Sequence, residues 1–197
     1  MQFDRGKMRE VLLRTFSTCE PADLGAVKLN KILYFTDMLS YAFYRVPVTG
    51  AIYRKRPNGP TTDQLLFTLR EMQNSGELEV QAVNYFGYIK KEYRPLIETD
   101  TQYLNSDELS LLDEVIDFVC KRHTAKSISD FSHNLPWELA EMGGEIPYHT
   151  AMMLFPMEPS PEAFELAETG KAEIEAQRSQ KDTMGVRRLR DFRKSLH

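Results

Sequence analysis

Apolar residues recur at helical spacing in four long stretches of the chain. Met8, Val11, Leu12 and Phe16 predict a helix over 5–17, broken by Glu20, Pro21 and Asp23. Over about 24–43, Leu29, Ile32, Leu33, Leu39, Ala42 and Phe43 form one stripe, and Tyr34, Phe35 and Met38 add a second. That helix is therefore expected to be buried on most sides, with Lys28, Lys31 and Asp37 as its polar remainder. A third helix starts at Thr61 or Thr62, turns Leu65, Leu66, Leu69 and Met72 inward and closes at Asn74-Ser75-Gly76. A fourth, about 107–122, places Leu109, Leu112, Val115, Ile116 and Val119 on one face, with Ser106 as N-cap and Asp107 and Glu108 in its first turn.

Between these helices the period changes. Val48, Thr49, Ile52 and Tyr53, punctuated by Gly50, read as a short extended stretch within 46–56. Arg56-Pro57-Asn58-Gly59-Pro60 reads as a turn, with Pro57 presetting φ and Gly59 free to take a positive φ. Residues 77–94 alternate as a β-hairpin with Gly87 near its turn, ended by Pro95. Ser127-Ile128-Ser129-Asp130 resembles a capping box for a short helix, and Asn134-Leu135-Pro136-Trp137 restarts another that Gly143-Gly144 stops. Pro156, Pro159 and Pro161 mark a linker, followed by a polar, weakly amphipathic helix over 162–180 and a basic end over 184–197. The pattern predicts an α+β fold. One helix-rich domain, 1–155, holds a small antiparallel sheet from 46–56 and 77–94, and a basic helical C-terminal extension covers 156–197.

Charge sharpens this picture. Net charge over the 197 residues is −4, but residues 1–95 carry +4, residues 96–175 carry −13 and residues 176–197 carry +5. The central block repels nucleic acid and attracts a basic partner. No apolar run approaches the roughly 18 residues of a membrane span, and Met1–Glu10 lacks the apolar core of a secretory signal. Cys19 and Cys120 are far apart and match no C-x-x-C pattern, which excludes a disulfide framework and a four-cysteine zinc module and points to the cytoplasm.

Catalytic signatures are lacking. Ser132 and His133 are sequence neighbours, which point about 100° apart on a helix and cannot form a nucleophile–base pair. His133, His149 and Glu145 lack the spacing of a metal site on one helix, and there is no phosphate-binding glycine motif. Neither a cofactor nor a metal is expected, and His133 is read as a structural histidine hydrogen-bonded to backbone or Asp130. The helix–hairpin order of 61–94 invites comparison with a winged-helix DNA reader, but Arg70 is the one basic residue of its helix.

Five stretches, in order, resemble one family. Lys28-Leu-Asn-Lys-Ile-Leu-Tyr-Phe-Thr-Asp37 is similar to the K-L-x-K-[IL]-L-[YF]-[FY]-x-D helix of the SocA-like antitoxin, or Panacea, domain. Val48 to Tyr53 resembles its [IV]-T-G-x-x-[YF] stretch, and Asn58-Gly59-Pro60 its G-P turn. Leu104 to Asp113 resembles its fourth-helix start. Ser132-His133 with Pro136-Trp137, followed by Ile146-Pro147-Tyr148, resembles its closing motif.

The resemblance implies a non-enzymatic antitoxin of a bacterial or phage (prophage) toxin–antitoxin pair. Its partner would be a protein toxin encoded nearby, neutralised by direct binding. Delivery to a Clp-type protease would be a second mode, and homo- or hetero-oligomers are compatible with either. The alternative is a DNA-binding regulator using the hairpin and the basic tail around Arg187, Arg188, Arg190, Arg193 and Lys194. The partner surface is expected to be bordered by Lys28, Tyr34, Asp37, Tyr53, Arg54, Arg56, Gly59 and Pro60; the competing reading turns Tyr53 inward and leaves the cations solvated. Ser132, His133, Pro136 and Trp137 are expected to be structural, with Trp137 buried beside the Lys28–Asp37 helix.

Overall fold

The computed structural model describes residues 2–155, apart from 86 and 99–101, together with 165, 166 and 168–175. The chain divides into two units, Met1–Phe155 and Pro156–His197. The described residues of the second unit are helical. The linker prolines and the basic tail lie outside the described residues.

The first unit runs α1 (Arg5–Thr18), α2 (Ala26–Tyr44), α3 (Asp63–Asn74), β1 (Leu78–Tyr85), β2 (Tyr88–Pro95), α4 (Ser106–Lys121), α5 (Ala125–Phe131), α6 (Leu135–Leu139) and a 3-10 helix, Tyr148–Leu154. This is the helix-rich α+β class that the pattern predicts. Among the described residues, no helix is long and apolar enough to cross a membrane. Local chemistry fixes the starts. The Asp4 side chain accepts from the Lys7 amide and opens α1. A reciprocal capping box, Asn105 with Glu108, opens α4 one residue before the expected Ser106. Thr124 and Ser127 form the corresponding box for α5, so Ser127 sits inside that helix rather than at its cap. Asn134 caps α6, where Pro136 occupies the first turn.

Helix α2 is the hub, buried along nearly its whole length and packed by α4, α5 and the 3-10 helix. The hairpin lies against α1 through β2 and against α3 through β1. Tyr93 of β2 stacks on Phe16 of α1 with ring centroids 5.4 Å apart. The sheet is two-stranded, pairing Leu78 with Pro95 and Val80 with Tyr93. The expected strand within 46–56 is not part of it. That segment makes single bridges from Arg54 to Thr61 and to Glu145 instead.

Two expectations change. Cys19 and Cys120, separated by 101 residues, form a disulfide with Cα atoms 6.6 Å apart, joining the end of α1 to α4. Sequence distance concealed this: Cys19, at the C-cap of α1, and Cys120, on α4, meet because α1 packs directly against α4. The charge blocks also neutralise each other in part. Lys7 pairs with Glu108 at 2.5 Å, and Arg14 grips Asp113 through two bonds of 2.8 and 2.7 Å. Basic α1 is thereby tied to acidic α4.

Candidate partner-binding site

The polar residues of α2 point into the protein, not out of it. Asp37 is fully buried. Its Oδ1 accepts from the Thr49 amide at 2.6 Å, and its Oδ2 from the Thr49 hydroxyl at 2.5 Å and the Tyr53 hydroxyl at 2.7 Å. The Tyr148 hydroxyl lies 3.2 Å from the same oxygen and 2.6 Å from the Ala51 carbonyl, to which it donates. Burial pushes the Asp37 carboxyl above its ordinary range, and these donors pull it part of the way back. Burial, reinforced by the Asp37 charge, also raises the Tyr53 and Tyr148 hydroxyls. The group is a structural clasp that folds segment 48–53 and the 3-10 helix onto α2.

Six residues earlier on α2, Lys31 is only 1% exposed. Its ammonium donates to the Pro60 carbonyl at 2.8 Å. Burial lowers its pKa from 10.5 to about 7. Gly59 lies directly over it with φ +87°. A methyl group there would fall 2.7 Å from Lys31 Nζ and 2.2 Å from Ser132 Oγ. The family-like G-P turn is thus a close approach of backbone to a buried amine, for which only glycine has both the space and the dihedral.

The turn that follows Tyr53 is held from every side. Arg54 and Thr61 exchange backbone bonds of 2.8 and 3.1 Å; Lys55 does the same with Gly144 and Gly143, at 2.9 Å each. The Asn58 carbonyl accepts from Ser129 Oγ at 3.0 Å, and the Arg56 carbonyl from the Trp137 indole N–H at 3.1 Å. Trp137 stacks on His133 at 4.0 Å, and the Lys55 ammonium sits over the indole at 4.2 Å. Arg56, Pro57 and Asn58 remain exposed at the tip. The Arg56 guanidinium has no partner among the described residues. The product is a cationic turn whose Arg54, Lys55, Arg56 and Asn58 carbonyls and Arg54 and Lys55 amides are tied to neighbouring segments.

The residues expected at a partner surface therefore divide. Tyr34, Asp37, Tyr53, Gly59 and Pro60 are buried, and so is Lys28, which donates to the Cys120 carbonyl at 3.1 Å and is lowered in pKa by burial. Tyr34 is 0% exposed and donates to Asn134 Oδ1 at 3.2 Å. The polar side chains among them are satisfied internally, by Cys120, Asn134, Thr49 and Tyr148, and Tyr53 packs inward. Arg54 is half-buried and Arg56 exposed, beside each other on the turn. Lys31, Lys55 and Tyr148 also belong to this site, and the sequence pattern does not single them out as site residues. The one signal for Lys31 was a cation on an otherwise apolar helix face.

The closing motif also differs in detail. Ser132 is buried and donates to the Ser129 carbonyl at 2.7 Å, and Pro136 is buried. Trp137 is half-buried rather than a core residue, because its ring covers the turn. His133 is held by ring stacking, and its Nε2 is buried without a hydrogen-bond partner, contrary to the expected hydrogen bond. Among the described residues, no cluster of three His, Cys, Asp or Glu could hold a metal ion.

A family model described as "Antitoxin SocA-like, Panacea domain" matches residues 29–138, more than half of the chain. Among curated proteins and among solved structures, none matches it. The matched span contains α2 from Leu29 onward, the Asp37–Thr49–Tyr53 clasp, the Gly59-Pro60 turn over Lys31, and α4 to α6 as far as the Trp137 stack. The chain belongs to the SocA-like antitoxin, Panacea domain family.

Proposed function

We propose that this chain is the antitoxin of a toxin–antitoxin pair and neutralises a cognate protein toxin by direct binding through the turn 54–60. One observation carries the reading: an exposed cationic tip, Arg56-Pro57-Asn58, whose Arg56 and Asn58 carbonyls are already anchored by Trp137 and Ser129. Preorganisation removes the ordering cost that flexible loops meet on binding. Arginine beside rigid aromatic packing is the composition of interface hot spots. No cofactor or metal enters this reading. A DNA-binding regulator is the weaker alternative: the hairpin's Arg94 faces Glu92 at 4.0 Å, and α3 carries Asp63 and Glu71 beside Arg70.

Co-expression with the adjacent gene tests the proposal. The wild-type chain should restore growth and co-purify with the toxin. The double variant Arg54→Glu, Arg56→Glu should lose at least ~2 kcal/mol of affinity, about 30-fold, with its Tm nearly unchanged. Undiminished rescue and affinity would place the interface elsewhere. Toxin abundance in a strain lacking Clp proteases separates the two modes: direct inhibition leaves rescue intact there, and proteolytic delivery does not.

A further inference from the structure

An apolar groove of about 510 Å³ opens between α2, α4, α5 and the end of the 3-10 helix. One wall is aromatic. Phe131, 53% exposed, sits 5.7 Å from Phe35 and 5.3 Å from Phe118 between ring centroids. The far end is formed by Phe43, 58% exposed, packed 5.6 Å from Phe155. Leaving aromatic rings this open in water is unfavourable by roughly 25 cal/mol for every Å² that a partner would cover. The volume lies within the ~300–1,000 Å³ of ligand clefts, but the lining offers almost none of the convergent polar groups that orient a small molecule.

The rim supplies the missing chemistry. Helix α4 carries Asp107, Glu108, Asp113, Glu114 and Asp117 against one Lys121. Lys7 neutralises Glu108, Arg14 neutralises Asp113, and Lys121 and Arg122 neutralise Asp117. Glu114, exposed on the groove wall, has no cationic partner among the described residues. An apolar trough with an uncompensated carboxylate on its edge fits a helix whose apolar face carries a flanking Lys or Arg. The same carboxylate repels phosphate, so nucleic acid and anionic lipid surfaces do not match.

We infer that this groove is a docking site for a cationic amphipathic helix of a protein partner, with aromatic or aliphatic anchors between Phe131 and Phe43 and a basic side chain on Glu114. The natural donor of that helix is the toxin, a clause that rests on the antitoxin reading; the groove chemistry itself does not.

The test uses the full chain and fluorescein-labelled 18-residue peptides followed by anisotropy at 150 mM salt. One is a Leu/Lys amphipathic helix, one has Glu in place of every Lys, and one keeps the Leu/Lys composition with its apolar periodicity scrambled. The Leu/Lys helix should bind the wild type, and both controls at least tenfold more weakly. Phe43→Asp and Glu114→Lys should each weaken it at least tenfold, whereas Asp107→Lys, the same charge change on the same helix away from the groove, should shift it less than threefold. Circular dichroism confirms folding of each variant.

The proposal is overturned if the Leu/Lys helix does not bind, if the controls bind equally, or if Asp107→Lys weakens binding as much as Glu114→Lys. It is also overturned if sedimentation shows a dimer that Phe43→Asp dissolves, since a second copy then fills the groove. Loss of toxin neutralisation is read separately by co-expression, so failure of the antitoxin reading leaves the peptide result standing.

Discussion

Lys31 provides the most quantitative consequence of the fold. Its pKa is about 7 in the folded protein, against 10.5 for an unburied lysine. Below pH 7 both states hold the proton, and the folded state bears the full cost of a buried ammonium. Between pH 7 and 10.5 the unfolded chain still binds the proton that the folded chain has released. Stability must therefore rise with pH across that window, with a slope approaching 1.36 kcal/mol per pH unit. From pH 7.5 to 9.5 this amounts to about 2–3 kcal/mol, and over the whole window to roughly 5 kcal/mol. The raised hydroxyls of Tyr34, Tyr53 and Tyr148 act only above about pH 10 and with the opposite sign, because there the unfolded tyrosines ionise first. Lys31→Met keeps a chain of similar length and removes the titration. Urea unfolding of both proteins from pH 6 to 9.5 should give a stability difference, wild type minus variant, that grows by about 2–3 kcal/mol between pH 7.5 and 9.5. A difference that stays constant within 0.5 kcal/mol would refute the burial of a titrating amine under the Gly59-Pro60 turn.

Three other outcomes are expected. Gly59→Ala should cost about 2–4 kcal/mol in chemical denaturation, combining left-handed strain with contact against Ser132 and Lys31; Gly76→Ala, at φ +73° in open space, should cost only about 1–2 kcal/mol. Tyr53→Phe should lose about 1–3 kcal/mol, because Asp37 then lacks its 2.7 Å donor in a fully buried site. Thiol titration of the unreduced protein in denaturant should find no free cysteine, and joint Cys19→Ser, Cys120→Ser replacement should destabilise by about 2–4 kcal/mol, measured by thermal melting.

The helices were legible because burial imposes a 3.6-residue period that survives in α1, α2, α3 and α4. Segment 46–56 was not. Its β-forming residues find no strand partner, since the Thr49 amide goes to the Asp37 carboxylate and the Ile52 amide to the Gln64 side chain at 2.8 Å. Whether an extended segment joins a sheet depends on which acceptors tertiary packing brings near, and those are 12 residues away in each case. The polar positions of α2 misled for a similar reason. Lys31 and Asp37 look like a solvent face until Pro60 and Tyr148 arrive from elsewhere in the chain to satisfy them.

The residues that identify the family and the residues free to meet a partner are largely different sets. Lys28, Lys31, Tyr34, Asp37, Thr49, Tyr53, Gly59 and Pro60 carry the motif and are buried. Three of them are tied to groups far along the chain: Lys28 to Cys120, Tyr34 to Asn134, Asp37 to Tyr148. Replacing such a residue removes a satisfied buried polar group, so it damages folding first and binding only as a consequence. On the proposed reading, partner choice lies instead with side chains that reach solvent on this frame. Arg56 at the turn and Phe43, Phe131 and Glu114 around the groove are such positions, and none contributes a hydrogen bond or ion pair to the core clasp. A frame built this way can keep its motif while its exposed residues vary. One fold can then present different contact chemistry to different partners without altering the interactions that hold it together.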